Sequence, residues 1–169
     1  MVVYLGNKRV GDGTLDSSLM NFLKDEGSIV IPYGTTKIKK GMFSYMQSLK
    51  DVKIPNSVTS VYENGFDGST NITSVDFGTS VTYIGDYAFQ NCNKMTNIKF
   101  SPVLKTIDRQ AFSLCSSLTS ITIPNSVTSI YNNSFHGCTN LKEIKVDNTQ
   151  NSIPSAPWGA ENATVIWLR

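Results

Sequence analysis

The chain has 169 residues and a net charge of +2, and only 17% of its residues are charged. This length fits one domain, and the sparse charge lacks the strong basic stripe expected of a nucleic-acid-binding protein. Two small basic clusters, Lys8 with Arg9 and Lys37 with Lys39 and Lys40, are interpreted as solvated turns rather than as phosphate or lipid sites.

Residues 1–27 stand apart from the rest of the chain and predict an N-terminal cap. Apolar residues recur at roughly helical spacing over 15–25: Leu15, Leu19, Met20, Phe22 and Leu23. With Asp16 as a candidate N-cap and Gly27 as the stop, they predict a short amphipathic capping helix. Residues 2–5 are a candidate strand on this cap. The segment is too short and too polar for a membrane span, and it lacks the basic start and long apolar run of a secretory signal.

From residue 28 to residue 146 the sequence repeats every 23 residues. We call a set of residues that stand 23 positions apart a row, and the clearest row is Phe43, Phe66, Phe89, Phe112 and Phe135. Five further apolar rows keep the same interval without insertion or deletion: Leu49 to Leu141, Val52 to Ile144, Ile31 to Val146, Val58 to Val127, and Ile38 to Ile130. A repeat of this length predicts a β-rich solenoid, in which each turn buries its apolar face only against its neighbours.

One complete turn, L-x-x-I-x-I-P-x-x-V-x-x-I-x-x-x-x-F-x-x-C-x-x, occupies residues 118–140. Its alternating start predicts a strand that points Ile121 and Ile123 inward and Ser120 and Thr122 outward. Stacked turns make such strands parallel, and a right-handed coil is expected because crossover connections are almost always right-handed. The Pro-Asn-Ser that follows ends the strand, because proline has no N–H and asparagine favours turns. Small residues before most phenylalanines predict a close approach between turns: Gly65, Ala88, Ala111 and Ser134.

Several short motifs resemble the BspA-type leucine-rich repeat. They are S-V-T-S-I at 126–130, A-F-x-x-C at 88–92 and 111–115, and L-T-S-I-T-I-P at 118–124. The resemblance covers 28–146, and it implies a leucine-rich-repeat coil with a parallel sheet on one face. It also implies a bacterial or protist surface protein that engages a host matrix or other cells.

One position departs from the family pattern. The family usually has glycine after the isoleucine of V-x-x-I, and only Gly85 matches here. Tyr62, Asp108 and Tyr131 occupy the other three positions. Their side chains argue against a left-handed backbone at this point of the turn.

Residues 147–169 continue the register in altered form and resemble the repeat weakly. Three residues stand 23 positions after members of the rows: Ile153 after Ile130, Trp158 after Phe135, and Trp167 after Ile144. They predict a degenerate capping repeat whose two tryptophans cover the open end of the core. The alternative is that Trp158 and Trp167 form a sugar-stacking pair.

Cys92, Cys115 and Cys138 share one row, which Met46 and Ser69 begin. They predict a ladder of buried free thiols, about 5 Å apart if the turns follow strand spacing. A disulfide between neighbours is possible on distance, but stacked side chains point the same way and one cysteine would be left over. A zinc site would need a fourth ligand and a tetrahedral arrangement, so no metal or cofactor is predicted.

Catalytic motifs are not found in the sequence. The one histidine, His136, follows Phe135 on a turn, and the row of Cys138 predicts an inward thiol that cannot form a catalytic pair with it. The sequence has no glycine-rich phosphate loop, no HExxH and no GxSxG, and its carboxylates are scattered singly. We therefore do not expect an enzyme.

The outward positions of the strands are the candidate binding residues. One row is Asp51, Ser74, Asn97, Ser120 and Glu143, which the register extends to Ile166. The other is Lys53, Asp76, Lys99, Thr122 and Lys145, extended to Leu168. The alternating charges at the start of the second row predict cross-strand pairs. A polar face without aromatic residues suits a protein or polar-glycan ligand, although the rows could instead serve only solubility.

Three functions follow, in order of preference. The first, which rests on the resemblance, is a protein-interaction or adhesion module of the bacterial surface-protein type, located at the cell surface or outside the cell. Neither a signal peptide nor a wall anchor is found in the sequence to support that location. The second is a structural or receptor-binding component of a larger particle such as a phage virion, with residues 1–27 as a docking element. The third is a cytoplasmic enzyme or metal protein, which bound zinc or loss of activity in Cys115→Ala would be needed to support.

Overall fold

The computed structural model describes residues 4–5, 8–9, 31, 34–149 and 152–169. Over these residues the chain forms a parallel β-solenoid of about six turns, as predicted. Strand β1 (Tyr4–Leu5) pairs antiparallel with β2 (Lys8–Arg9), while residues 2 and 3 of the strand expected at 2–5 lie outside the described residues. The capping helix expected over 15–25 lies outside the described residues, and the described part contains no α-helix.

The face predicted from the alternating pattern consists of six strands in two parallel sheets. The first sheet contains β4 (Asp51–Lys53), β6 (Ser74–Asp76) and β8 (Asn97–Lys99). The second contains β10 (Ser120–Ile123), β12 (Glu143–Val146) and β13 (Thr164–Trp167). We refer to this side of the solenoid as the strand face. Its alternation is confirmed in β10, where Ile121 and Ile123 are buried and Ser120 and Thr122 are exposed.

A third parallel sheet lies on the return path, where the sequence predicted only packed side chains. Its two-residue strands are β3 (Lys37–Ile38), β5 (Ser60–Val61), β7 (Tyr83–Ile84), β9 (Thr106–Ile107) and β11 (Ser129–Ile130). The five are adjacent in chain order, each one turn from the next. The Val-x-x-Ile motif therefore both fills the core and adds a backbone ladder, with the buried residues lying between the two faces.

The phenylalanine row forms a stack along the axis of the core. Phe66 and Phe89 lie with ring centroids 4.8 Å apart and planes 10° from parallel, and all five rings are buried. The N–H of Phe43 donates to the carbonyl of Gly65 at 2.7 Å, and the same 2.7 Å bond recurs from Phe66 and from Phe89. This confirms the close approach between turns that the small residues before each phenylalanine predict.

Five successive turns have a left-handed backbone at the same two positions. One row is Gly41, Asn64, Tyr87, Gln110 and Asn133, and the other is Tyr45, Gly68, Asn91, Leu114 and Gly137. As expected, the position after V-x-x-I is not among them. Bulky residues at these positions need space on the next turn. Tyr45 lies over Gly68, where an added Cβ would come within 2.5 Å of the tyrosine ring.

The final turn differs from the register predicted for it. Trp167 lies opposite Val146 rather than Ile144, because two fewer residues separate Trp158 from β13 than separate Phe135 from β12. Ile166 consequently neighbours Lys145, and the predicted extensions of the two outward rows to Ile166 and Leu168 are wrong. The earlier part of the final turn follows the predicted register. Trp158 is buried one turn after Phe135, and its carbonyl accepts the N–H of Phe135 at 3.1 Å.

Candidate binding surface

All ten predicted binding residues lie on the strand face and are exposed or half-buried. The sheet of β4, β6 and β8 carries Asp51, Lys53, Ser74, Asp76, Asn97 and Lys99. The sheet of β10 and β12 carries Ser120, Thr122, Glu143 and Lys145. Neighbours in each row are joined by backbone pairing, so the structure brings the residues together in two groups rather than in one continuous array.

Of the cross-strand ion pairs predicted for Lys53, Asp76 and Lys99, only the pair between Asp76 and Lys99 forms. Lys99 Nζ lies 2.9 Å from Asp76 Oδ2, whereas Lys53 forms no ion pair with any residue that the structure describes. Lys145 instead contacts Glu143 on its own strand at 2.9 Å. Partial burial acts to raise the pKa of Asp76, but the bonds from Lys99 and the N–H of Gly78 outweigh it and lower the pKa. In this row the ammonium of Lys53 is therefore left without an ion-pair partner among the described residues.

At the start of the face, Asp51 is held by hydroxyl groups of the next turn. Its Oδ1 accepts Ser74 Oγ at 2.6 Å and Thr73 Oγ1 at 3.1 Å. These bonds, with a smaller contribution from Lys53, lower the pKa of Asp51. The carboxylate is thus ionised at neutral pH and fixed in orientation, which leaves its second oxygen available to a partner.

The strand face is interrupted between β8 and β10, a feature that the sequence pattern did not predict. The N–H groups of Ile54 and Phe77 donate across to the next turn at 2.8 and 3.0 Å, but the equivalent N–H of Phe100 has no partner among the described residues. The N–H of Thr119 also lacks the bond that Thr96 makes to Thr73. The two strands accordingly belong to different sheets.

An aromatic residue adjoins this opening. The row that is isoleucine or valine in most turns is phenylalanine at Phe77 and Phe100. Phe100 lies edge-on to Phe112, with centroids 5.7 Å apart. The stacked rings lie 4.8 Å apart between Phe66 and Phe89, 5.4 Å apart between Phe89 and Phe112, and 5.8 Å apart between Phe112 and Phe135, although β10 and β12 are paired; ring spacing therefore does not account for the opening. Phe77, in the same row as Phe100, keeps its N–H bond to Lys99 across the sheet at 3.0 Å.

Two open grooves adjoin the interruption. One, of about 710 Å³, runs along the carboxyl ends of β4, β6 and β8. The other, of about 530 Å³, lies between β8 and β10 and extends to Asp147. They share Lys99, Phe100 and Pro102. Concave sites with apolar walls and a few polar groups are where ligands usually bind.

A cluster of ionisable groups lies on the opposite side of the solenoid. Tyr83 Oη donates to Asp108 Oδ2 at 2.8 Å, and the N–H of Arg109 donates to both Asp86 Oδ1 and Asp108 Oδ1 at 3.1 and 2.9 Å. Partial burial and the charge of Asp108 raise the pKa of Asp86. Burial and the bond to Asp108 likewise raise the pKa of Tyr83. Sequence reasoning missed this cluster because its members come from different rows.

The cysteine ladder is confirmed as three buried free thiols. Cys92, Cys115 and Cys138 each donate to a main-chain carbonyl of the preceding turn, at 3.5, 3.3 and 3.1 Å. Burial raises the pKa of Cys92 and Cys115. His136 is exposed and lies 3.8 Å from Glu161. Among the described residues, no group of three or more His, Cys, Asp and Glu side chains is placed to hold a metal ion.

A known family of repeats matches most of the chain. A model of the BspA type leucine-rich repeat region matches residues 21–142 in six copies. No curated protein matches the chain. In the part of the chain that the structure describes, no helix has the length and apolar character needed to cross a membrane.

Solved structures of bacterial leucine-rich-repeat proteins share the fold. A leucine-rich cell surface protein from Faecalibacterium prausnitzii is 31% identical over 70% of this chain and 32% of its own, with a TM-score of 0.62. A leucine-rich-repeat protein from Bacteroides ovatus is 28% identical over 82% of this chain and 37% of its own, with a TM-score of 0.68. A leucine-rich-repeat protein from T. pallidum is 26% identical over 65% of this chain and 51% of its own, with a TM-score of 0.57. The chain thus spans about a third to a half of the length of these proteins.

Proposed function

Because the chain belongs to the BspA-type leucine-rich repeat family, we propose that it is a non-catalytic interaction module that binds its partner through the strand face. The observation that carries this proposal is the two rows of accessible polar side chains on the two parallel sheets of the strand face. Repeat solenoids present extended surfaces of this kind to partners, and the stacked turns hold the side chains at fixed spacing.

The polar character of the strand face indicates the kind of partner. Asn97, Ser120 and Thr122 are exposed and offer hydrogen-bond donors and acceptors. Asp51 and Lys53 add one charge of each sign. This mixture favours a protein or polar glycan over an apolar small molecule, and the likeness to a cell surface protein supports a location at the surface of a bacterium.

Site-specific cross-linking tests the proposal. A photoreactive amino acid replaces Ser120 on the strand face in one protein and Asn132, an exposed turn residue after β11, in the control. Each protein is irradiated in extract of its source culture with host matrix proteins, and the products are identified by mass spectrometry. We expect a discrete product from position 120 and none from position 132. Products only from position 132, or none from either, would refute binding through the strand face.

The identity of the cross-linked product separates adhesion from the alternative function. Envelope or host-matrix proteins would support an adhesion module at the cell surface. Tail or capsid proteins would instead support a component of a larger particle such as a phage virion.

A further inference from the structure

We propose that the opening between β8 and β10 receives an apolar side chain of a protein partner, and that an acidic residue beside it in that partner contacts Lys53 or Lys99. This inference rests on the proposed function, since it specifies the partner chemistry of the strand face. It distinguishes a protein ligand from a polar glycan, and it places the centre of the interface in one turn of the six.

The opening has unpaired backbone groups and an apolar floor. The N–H groups of Phe100 and Thr119 have no partner among the described residues, although their equivalents in neighbouring turns are bonded across the sheet. Ile98 is half-buried, whereas the equivalent Val52, Val75, Ile121 and Ile144 are buried. An apolar side chain that covered half-buried Ile98 would remove exposed apolar surface from water, and its own main chain could bond the free N–H groups.

The opening is bounded at both ends, so it is a recess and not a separation of the turns. Before it, the N–H of Ser117 donates to Asn93 at 3.1 Å. After it, Ser126 Oγ donates to the carbonyl of Leu104 at 2.7 Å. The two turns therefore stay joined on either side, which leaves room for a side chain but not for an inserted strand.

The sequence of this turn also departs from its neighbours at the same place. The segment is Phe100-Ser101-Pro102, where the turns at 54–56 and 123–125 have Ile-Pro-Asn and the preceding turn at 77–79 has Phe-Gly-Thr. Pro102 is exposed and forms part of the wall of both grooves. A proline at this position contributes a rigid apolar surface without adding a donor.

Charge complementarity selects the acidic neighbour. The groove along β4, β6 and β8 is lined by two lysines and one aspartate. Asp76 is bonded to Lys99, and the ammonium of Lys53 is unpaired among the described residues. A partner carboxylate here would gain a charge-assisted bond, whereas a partner lysine would be repelled.

Hydrogen exchange and peptide titration, both followed by NMR on the full chain, test the inference. The first expectation is that the amides of Phe100 and Thr119 exchange at least tenfold faster than those of Phe77 and Lys142, which are bonded across the sheet. Equal protection would show that the opening does not exist and would overturn the inference.

The probes for the titration are three capped tripeptides, Glu-Leu-Glu, Glu-Ala-Glu and Lys-Leu-Lys, together with methyl β-glucoside. We expect Glu-Leu-Glu to shift the amides of Ile98, Phe100 and Thr122, with at least tenfold weaker binding for the other two peptides. Shifts caused by the glucoside and not by the peptides would overturn the inference in favour of a glycan ligand. The absence of shifts with every probe would also overturn it.

A variant that restores the neighbouring turn sequence provides the matched control. Phe100→Ile, Ser101→Pro and Pro102→Asn together are expected to close the sheet, seen as protection of the amide at position 100, and to abolish the Glu-Leu-Glu shifts. If this variant still gave the cross-link from position 120 to its protein partner at the wild-type yield, the strand face would bind without using the opening. In that case the inference would fail while the proposed function stood.

Discussion

Replacement of Phe89 by alanine should remove the centre of the phenylalanine stack. Phe89 is fully buried between Phe66 and Phe112, with centroid distances of 4.8 and 5.4 Å, and Phe77 meets it edge-on at 5.3 Å. Neighbouring turns are fixed by backbone bonds and cannot collapse into the space. We therefore expect a loss of about 3–5 kcal/mol in the free energy of unfolding, the range found for buried Phe→Ala changes. With a denaturant slope of about 2 kcal/mol per molar urea, the midpoint should fall by roughly 1.5–2.5 M.

Urea unfolding monitored by circular dichroism measures this loss, and Thr122→Ala is the control. Thr122 is exposed on β10, and its side chain makes no hydrogen bond with the described residues, so its removal should change the free energy of unfolding by less than about 0.5 kcal/mol. If both variants unfolded at the wild-type midpoint, the phenylalanine stack and the 23-residue register derived from it would be refuted.

Three further predictions concern other parts of the solenoid. The raised pKa of Asp86 means that the folded state holds a proton more tightly than the unfolded state. Its contribution to stability is present at acid pH and is lost as the pH rises through the folded-state pKa. Asp86→Asn should therefore raise the melting temperature at pH 7, and an unchanged or lower value would contradict the contact with Asp108. Trp158→Ala should cost about 3–5 kcal/mol and shift the fluorescence of Trp167, whose ring centroid lies 6.5 Å away, to the red; an unshifted spectrum would show that Trp158 does not shield it. The three buried thiols should not react with a thiol reagent until urea unfolds the chain, so rapid labelling of the native protein would contradict the ladder.

The architecture was predictable because one periodic constraint acts on every turn. A residue in an apolar row must pack against the same row one turn away, so the 23-residue interval determines both the register and the buried face. The row from Val52 to Ile144 illustrates this, since successive members are paired in the sheet on either side of the opening. The outward rows follow from alternation within the same strands, and the ten predicted residues are accessible for that reason.

The features that were not predicted depend on differences between turns. The opening lies at Phe100, and a row of apolar residues does not reveal it, because Phe77 in the same row keeps its bond across the sheet. Its signal in the sequence was Ser-Pro in place of Pro-Asn after Phe100. The left-handed backbone at Tyr45 and Leu114 gave no signal, because neither is a residue that favours this conformation. In the last turn, Trp167 stands 23 residues after Ile144 as expected, so the sequence did not reveal that two fewer residues separate Trp158 from β13.

Binding of the cross-linked partner to two arginine variants tests the central claim most directly. Ser120→Arg places a bulky charge at the centre of the strand face, and Asn132→Arg adds the same charge on an exposed turn beyond β11. Both substitutions should leave the melting temperature near that of the wild type. We predict that Ser120→Arg weakens binding to the immobilised partner at least tenfold, whereas Asn132→Arg leaves it unchanged. The reverse order, or full binding by both variants, would contradict an interaction through the strand face.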